Sequence, residues 1–198
     1  MTTRGVVYIA YGRRAVVEAT ASIFTLRRFH DWPIAVIGEA IRGCAHIQWP
    51  NTGTPGRWAK VNLARLTPFD ETLFLDADTR IHGALDIGFR LLAHYDLVIV
   101  ASRPQHSEVL SHLSAEERAY TLQQLLDPLQ LNTGVMWFNR AVTPLFEAWR
   151  FEWNMWKDKD QGALLRALET YPTPYALLGA PFNDKSGAVV EHRFGAAA

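Results

Sequence analysis

The feature that most constrains the fold is the order of elements at the start of the chain. Gly5-Val6-Val7-Tyr8-Ile9-Ala10 is a short, β-rich apolar run closed by Tyr11-Gly12, which is the pattern of a buried strand. From Arg13 to Phe29 the apolar residues Val16, Ala19, Ile23 and Leu26 recur at helical spacing, so this stretch predicts a helix with one buried face. Pro33 then opens a second strand, Ile34 to Ile37. A strand–helix–strand unit begins a parallel sheet, and its crossover is almost always right-handed.

The alternation continues along the chain. The spacing predicts a short strand near His46-Ile47, a helix from Trp58 to Leu66, a strand from Thr72 to Leu75 and a helix from Leu85 to Tyr95. Leu97 to Ala101 is another buried strand, and 105–126 reads as helical, with Ser114 and Glu117 at capping-box spacing. Asn132-Thr133 reads as a turn leading into a strand from Gly134 to Phe138. Thr143 and Pro144 suit the cap and first turn of a helix that carries Trp149, Trp153 and Trp156 on one stripe. A further helix is predicted from Asp160 to Leu168, irregular chain from Pro172 to Asn183, and a last short strand at Val189-Val190. This is an α/β pattern with a mainly parallel sheet flanked by helices, expected as one domain over 1–198 with a frayed tail at 195–198.

Composition limits the function classes. With 48% hydrophobic residues in 198, a sizeable core forms. Twenty Lys and Arg balance twenty Asp and Glu, so the broad basic surface of a nucleic-acid binder is not expected. Cys44 is the single cysteine, which removes an intramolecular disulfide or a multi-cysteine zinc site and fits a cytoplasmic location. No run approaches the roughly 18 apolar residues of a membrane span, so no integral membrane segment is expected.

The sharpest chemical feature is Leu73-Phe74-Leu75-Asp76-Ala77-Asp78-Thr79. An apolar strand delivers two carboxylates to its own carboxyl end, where ligands of open α/β sheets bind. Two like charges there repel unless a hard cation lies between them, and magnesium or manganese suits such oxygens. The plainer alternative is a strand-end turn with solvated aspartates. Lys60, in Arg57-Trp58-Ala59-Lys60 near a helix start, can meet a phosphate or be an ordinary surface lysine, and the same two readings hold for Arg13 and Arg14 at the start of the first helix. Asn132, in Asn132-Thr133-Gly134-Val135, can hydrogen-bond a polyhydroxy ligand or merely form a turn. Asp160, before Gln161-Gly162, is an N-cap or a carboxylate beside a reacting centre. His192 ends a β-branched strand and is either structural or a third metal ligand. The phosphate-loop, dinucleotide-binding, nucleophile-elbow and zinc-protease motifs do not occur.

Taken in order, these signals resemble a glycosyltransferase of the GT-A fold, most similar to the glycogenin and galactosyltransferase-like family 8. The resemblance rests on Ile9-Ala10-Tyr11-Gly12, Lys60, Asp76 to Thr79, Asn132 to Val135, Asp160 to Gly162 and His192 to Gly195. It implies a Rossmann-like single-domain GT-A fold and transfer of a sugar from a nucleotide diphosphate sugar, usually a UDP-sugar, with retention at the anomeric carbon. It further implies Mn2+ or Mg2+ held by Asp76, Asp78 and His192, and a nucleotide held by Ala10, Tyr11, Arg14, Lys60 and Ala77. Asn132, Gly134, Asp160 and Gln161 would hold the donor sugar, with Asp160 and Gln161 at the reacting centre. The acceptor, whether glycan, protein or small molecule, is left open. In the family the H-x-x-G motif is commonly followed by a lysine that contacts the diphosphate. Here Ala196-Ala197-Ala198 follows, so Arg193 or an N-terminal arginine is the expected substitute. Residues 102–127 are the expected acceptor-side lid. A catalytically idle nucleotide-sugar-binding module and a sugar nucleotidyltransferase are the competing readings.

Overall fold

The computed structural model describes residues 2–50, 53, 55–101, 110–125 and 129–197. The predicted opening unit is present as β1 (Arg4–Ala10), α1 (Gly12–Leu26) and β2 (Ile34–Gly38), with β1 and β2 parallel. β3 (Ala45–Ile47) extends the sheet on one side and β4 (Glu71–Leu75) on the other, both parallel to their neighbours. β7 (Leu131–Asn139) enters antiparallel between β4 and β6 (Leu97–Ala101), and β8 (Tyr175–Leu178) closes the far edge parallel to β6. The order is β3-β2-β1-β4-β7-β6-β8, a mainly parallel sheet as the sequence predicts.

Each face of the sheet has its own core. Val7, Ile37, Phe74, Ile99 and Met136 face α2 (Pro55–Lys60), α3 (Leu63–Leu66), α6 (Thr143–Trp156) and α7 (Asp160–Thr170). Val6, Tyr8, Val36, Leu73, Leu75 and Trp137 face α1 and α4 (Asp86–Leu91). The period-two alternation of β1 therefore decides which layer each side chain joins. Burying a side chain such as Leu75 contributes about 1.5–3 kcal/mol.

Several expectations are corrected. The helix predicted from Trp58 to Leu66 is two short helices, because Asn62 leaves the helical region (φ −107°, ψ 6°) and its side chain bonds back to the Trp58 carbonyl. Asn132 lies inside β7 rather than in a turn before it. The β6–β7 register jumps from Ile99↔Met136 to Val100↔Asn132, so a bulge at 133–135 keeps the local turn chemistry within a strand. Thr143 is not the N-cap of α6. A 3-10 turn at Arg140–Val142, capped by the Asn139 side chain, leads straight into the helix. The Pro172–Asn183 stretch contains β8, whose edge position tolerates flanking prolines. Of the predicted 105–126 helix, 105–109 and 126 lie outside the described residues, as do 102–109 and 126–127 of the expected lid. The described helix here, α5, is Ala115–Gln124, and Ser114 caps it by accepting from the Glu117 amide.

α7, which carries Asp160, is fixed by a buried cation. Arg166 is 2% exposed and donates to Glu152 on α6, and to Glu117 and the Thr121 hydroxyl on α5. Burial pushes the Glu117 carboxyl up, and the charge and hydrogen bond of the Arg166 guanidinium oppose that shift. Arg166→Ala leaves these carboxylates buried without their cation. It is expected to lower the unfolding free energy by about 3–5 kcal/mol, read from urea denaturation.

Candidate active site

The strand ends converge at the carboxyl edge of β1 and β4, where a cleft of about 520 Å³ opens. Tyr11 follows β1, Asp76 to Asp78 follow β4, and Asn132 is the second residue of β7, which enters from the same side because it is antiparallel. Lys60 ends α2, Asp160 and Gln161 begin α7, and His192 ends β9 (Val190–His192). β5 (Thr79–Ile81) pairs with β9 in a small antiparallel ribbon, with Thr79 opposite His192. That register brings the histidine beside the two aspartates across more than a hundred residues of sequence.

His192 Nε2 lies 3.1 Å from Asp78 Oδ1 and 3.7 Å from Asp76 Oδ2. One ligand atom from each of the three residues falls within 4.8 Å of the others. Cis ligands on a magnesium-sized ion are about 3 Å apart, so this donor set of two carboxylates and an imidazole fits a small divalent cation. The other ring nitrogen, Nδ1, donates to Asn183 Oδ1 at 2.6 Å, which turns the Nε2 lone pair toward the carboxylates. Nε2 in turn lies within hydrogen-bond distance of Asp78 Oδ1. Burial pushes the Asp78 carboxyl up, but its hydrogen bond and charge interaction with His192 prevail and hold it at about 2.

Gly134 makes this crowding possible. A Cβ there would lie 2.5 Å from His192 Cε1 and 2.8 Å from Asp76 Oδ2. The glycine carbonyl accepts from the Asp76 amide, and Asn132 Oδ1 accepts from the Gly134 amide. β7 thus holds the base of the site by its backbone, and the G of the N-x-G motif has a steric role.

Lys60 is buried between two carboxylates. Its ammonium is 2.8 Å from Asp76 Oδ1 and 3.7 Å from Asp160 Oδ2. Burial alone would lower its pKa, yet Asp160 and Asp76 outweigh burial and hold it above its ordinary value. Burial likewise raises Asp160, but Lys60 and the Thr133 hydroxyl bring it below the usual carboxylate range. Trp149 Nε1 donates to the Asp160 carbonyl and fixes the start of α7. The lysine that the sequence places over a phosphate is thus committed to Asp76 and Asp160.

Most of the candidate residues meet in this cleft: Tyr11, Lys60, Asp76, Ala77, Asp78, Asn132, Asp160, Gln161 and His192 line it, and Gly134 lies directly beneath. Ala10 is fully buried beside it, its carbonyl accepting from the Glu39 amide. Arg14 does not line it. Its guanidinium donates to the carbonyls of Gly195 and Ala196. Of the tail, residues 195–197 belong to a turn beside Asp76, Asp78 and His192, where the Ala196 amide donates to Asp78 Oδ2, and 198 lies outside the described residues. Arg193 pairs with Glu18 on α1. Asn183 and Thr133 are site residues that sequence reasoning missed. Thr133 lies within the N-x-G motif, whereas Asn183 carries no motif signal.

No protein-family model and no curated protein sequence matches the chain. Solved structures do. The galactosyltransferase LgtC in complex with donor and acceptor sugar analogues superimposes with a TM-score of 0.66 at 13% identity, covering 96% of this chain and 87% of that one. Mouse xyloside xylosyltransferase 1, in its apo form, gives a TM-score of 0.65 at 11% identity, with 99% of each chain covered. The glycosyltransferase GlyE of Streptococcus pneumoniae gives 0.59 at 17% identity over 91% of this chain and 47% of its own. The chain therefore has the fold of these glycosyltransferases, the GT-A fold.

Gly134→Ala is expected to keep the fold but spread Asp76 from His192. Manganese affinity, measured by titration calorimetry, should fall at least about tenfold.

Proposed function

We propose that the chain is a divalent-metal-dependent glycosyltransferase that transfers a sugar from a nucleotide diphosphate sugar, a UDP-sugar, with retention at the anomeric carbon. The observation that carries this reading is the meeting of Asp76, Asp78 and His192 with Lys60 and Asp160 at the carboxyl edge of a GT-A sheet. The family resemblance supports retention and uridine, and the fold shared with sugar transferases supports the reaction class.

Asp76, Asp78 and His192 would hold Mn2+ or Mg2+, which supplies positive charge for the departing diphosphate. Tyr11 and the end of β1 form the wall for the nucleobase, with Ala77 beside the diphosphate. Asn132 and Gln161 offer amide donors and acceptors to sugar hydroxyls. The Asp160 carboxylate, kept ionised by Lys60, faces the sugar and stabilises positive charge developing at the anomeric carbon. Lys60 also keeps Asp76 and Asp160 from repelling each other, so both stay aimed into the cleft. The acceptor is a hydroxyl-bearing molecule that enters beside Asp160.

UDP with manganese is expected to raise the melting temperature, and UDP with a chelator is not. Asp76→Asn combined with Asp78→Asn should abolish metal-dependent UDP release from a panel of UDP-sugars. Unchanged release in that double variant would remove the metal-site assignment, and stabilisation without turnover would favour an idle binding module.

A further inference from the structure

The cleft has a shortage of positive charge that its own lysine does not relieve. Asp76, Asp78 and Asp160 are drawn together there, and the Lys60 ammonium is occupied by two of them. A divalent cation on Asp76, Asp78 and His192 offsets the remaining carboxylate charge, leaving little for a ligand that carries two phosphates. A further cation is needed. The arginines that the sequence suggests for this task face elsewhere: Arg193 pairs with Glu18, and Arg14 binds the carbonyls of the tail.

One other cation lines the cleft among the described residues, and it is Arg57. It sits three residues before Lys60 on α2, so both side chains leave the helix on the same face. Its side chain is 37% exposed, and that of its ion-pair partner Asp158, 3.6 Å away, is 48% exposed, so the pair is loose and solvated. α2 is held in place independently of that pair, through the contact of Trp58 with Trp153, whose Nε1 donates to the Asp158 carbonyl. Arg57 is therefore a pre-positioned fork beside the carboxylate cluster, restrained among the described residues by a weak surface partner.

Building on the proposed function, we infer that Arg57 is the donor-diphosphate ligand of this protein, exchanging Asp158 for phosphate oxygens when the nucleotide binds. A planar guanidinium suits this exchange, because it meets two phosphate oxygens at once. The inference also assigns Asp158 a role, as the anion that holds Arg57 at the cleft mouth until the diphosphate displaces it.

The test is calorimetric titration of UDP, in the presence of manganese, into the wild type and the variants Arg57→Ala, Arg57→Lys and Asp158→Asn. Arg57→Ala is expected to weaken UDP by roughly ten- to hundredfold while changing uridine binding little, with Arg57→Lys between the two. Asp158→Asn should bind UDP as tightly as the wild type or more tightly. A purely structural ion pair predicts instead that both partners weaken binding alike, and that result overturns the inference. So does an Arg57→Ala variant that binds UDP within about twofold of the wild type. If the wild type itself binds no nucleoside diphosphate with metal, the glycosyltransferase reading fails and this one falls with it. Binding by the wild type with an unaffected Arg57→Ala removes the arginine's role alone.

Discussion

Like-charge repulsion is the constraint around which the site is arranged. Three aspartates share one cleft, and two of them are mostly buried. Buried carboxylates stay ionised only beside a compensating charge. Lys60 supplies one such charge from within the fold, touching Asp76 on one oxygen and leaving the other turned toward His192. Asp76 therefore has two faces, one satisfied by the protein and one directed at the place where a cation fits. The remaining deficit is what suits the cleft to a small divalent cation.

The sheet meets the geometric demand that this electrostatics makes. β1 and β4 end side by side, and β7 inserts antiparallel so that its first residues, not its last, reach the same edge. The bulge at 133–135 lets the strand keep pairing with β4 while Asn132 pairs with β6. At Gly134 the imidazole, an aspartate and a strand backbone come closer than any side chain would permit. The β5–β9 ribbon then serves as a strap, carrying His192 to the aspartates and folding Gly195 to Ala197 back onto Asp78. Within that segment the Ala196 amide and the carbonyls of Gly195 and Ala196 have partners, Asp78 and Arg14, that the alanine-rich sequence does not reveal.

Much of the architecture is legible in the sequence because it is written in local periodicity. The apolar runs at β1, β2, β4 and β6 and the tryptophan stripe of α6 follow directly from residue order. The elements that sequence alone misplaces depend on distant partners. β8 is flanked by prolines and exists because β6 offers it a parallel edge. β5 and β9 are three residues each and gain their strand character from one another. The entry into α6 begins at Asn139 rather than Thr143, because Asn139 supplies the capping oxygen. In the site, the motif residues Asp76, Asp78, Asn132, Asp160 and His192 can be chosen by chemistry and order. Asn183 cannot, because its only distinction is to face the imidazole.

The sequence by itself determined the α/β class, the strand that carries the aspartates, and the residue types able to bind a cation and a polyhydroxy ligand. These follow from short-range rules of period, turn chemistry and ionisation. Only the tertiary structure decided which cations serve which anions. Lys60, Arg14, Arg57 and Arg193 are all plain basic residues in the sequence, and each acquires its role from the charge nearest to it in space. Lys60 is enclosed by Asp76 and Asp160, Arg14 and Arg193 are drawn to the tail and to Glu18, and Arg57 is left at the mouth of the cleft. Coulomb interactions depend on distance in the folded state, and that distance is not encoded in separation along the chain.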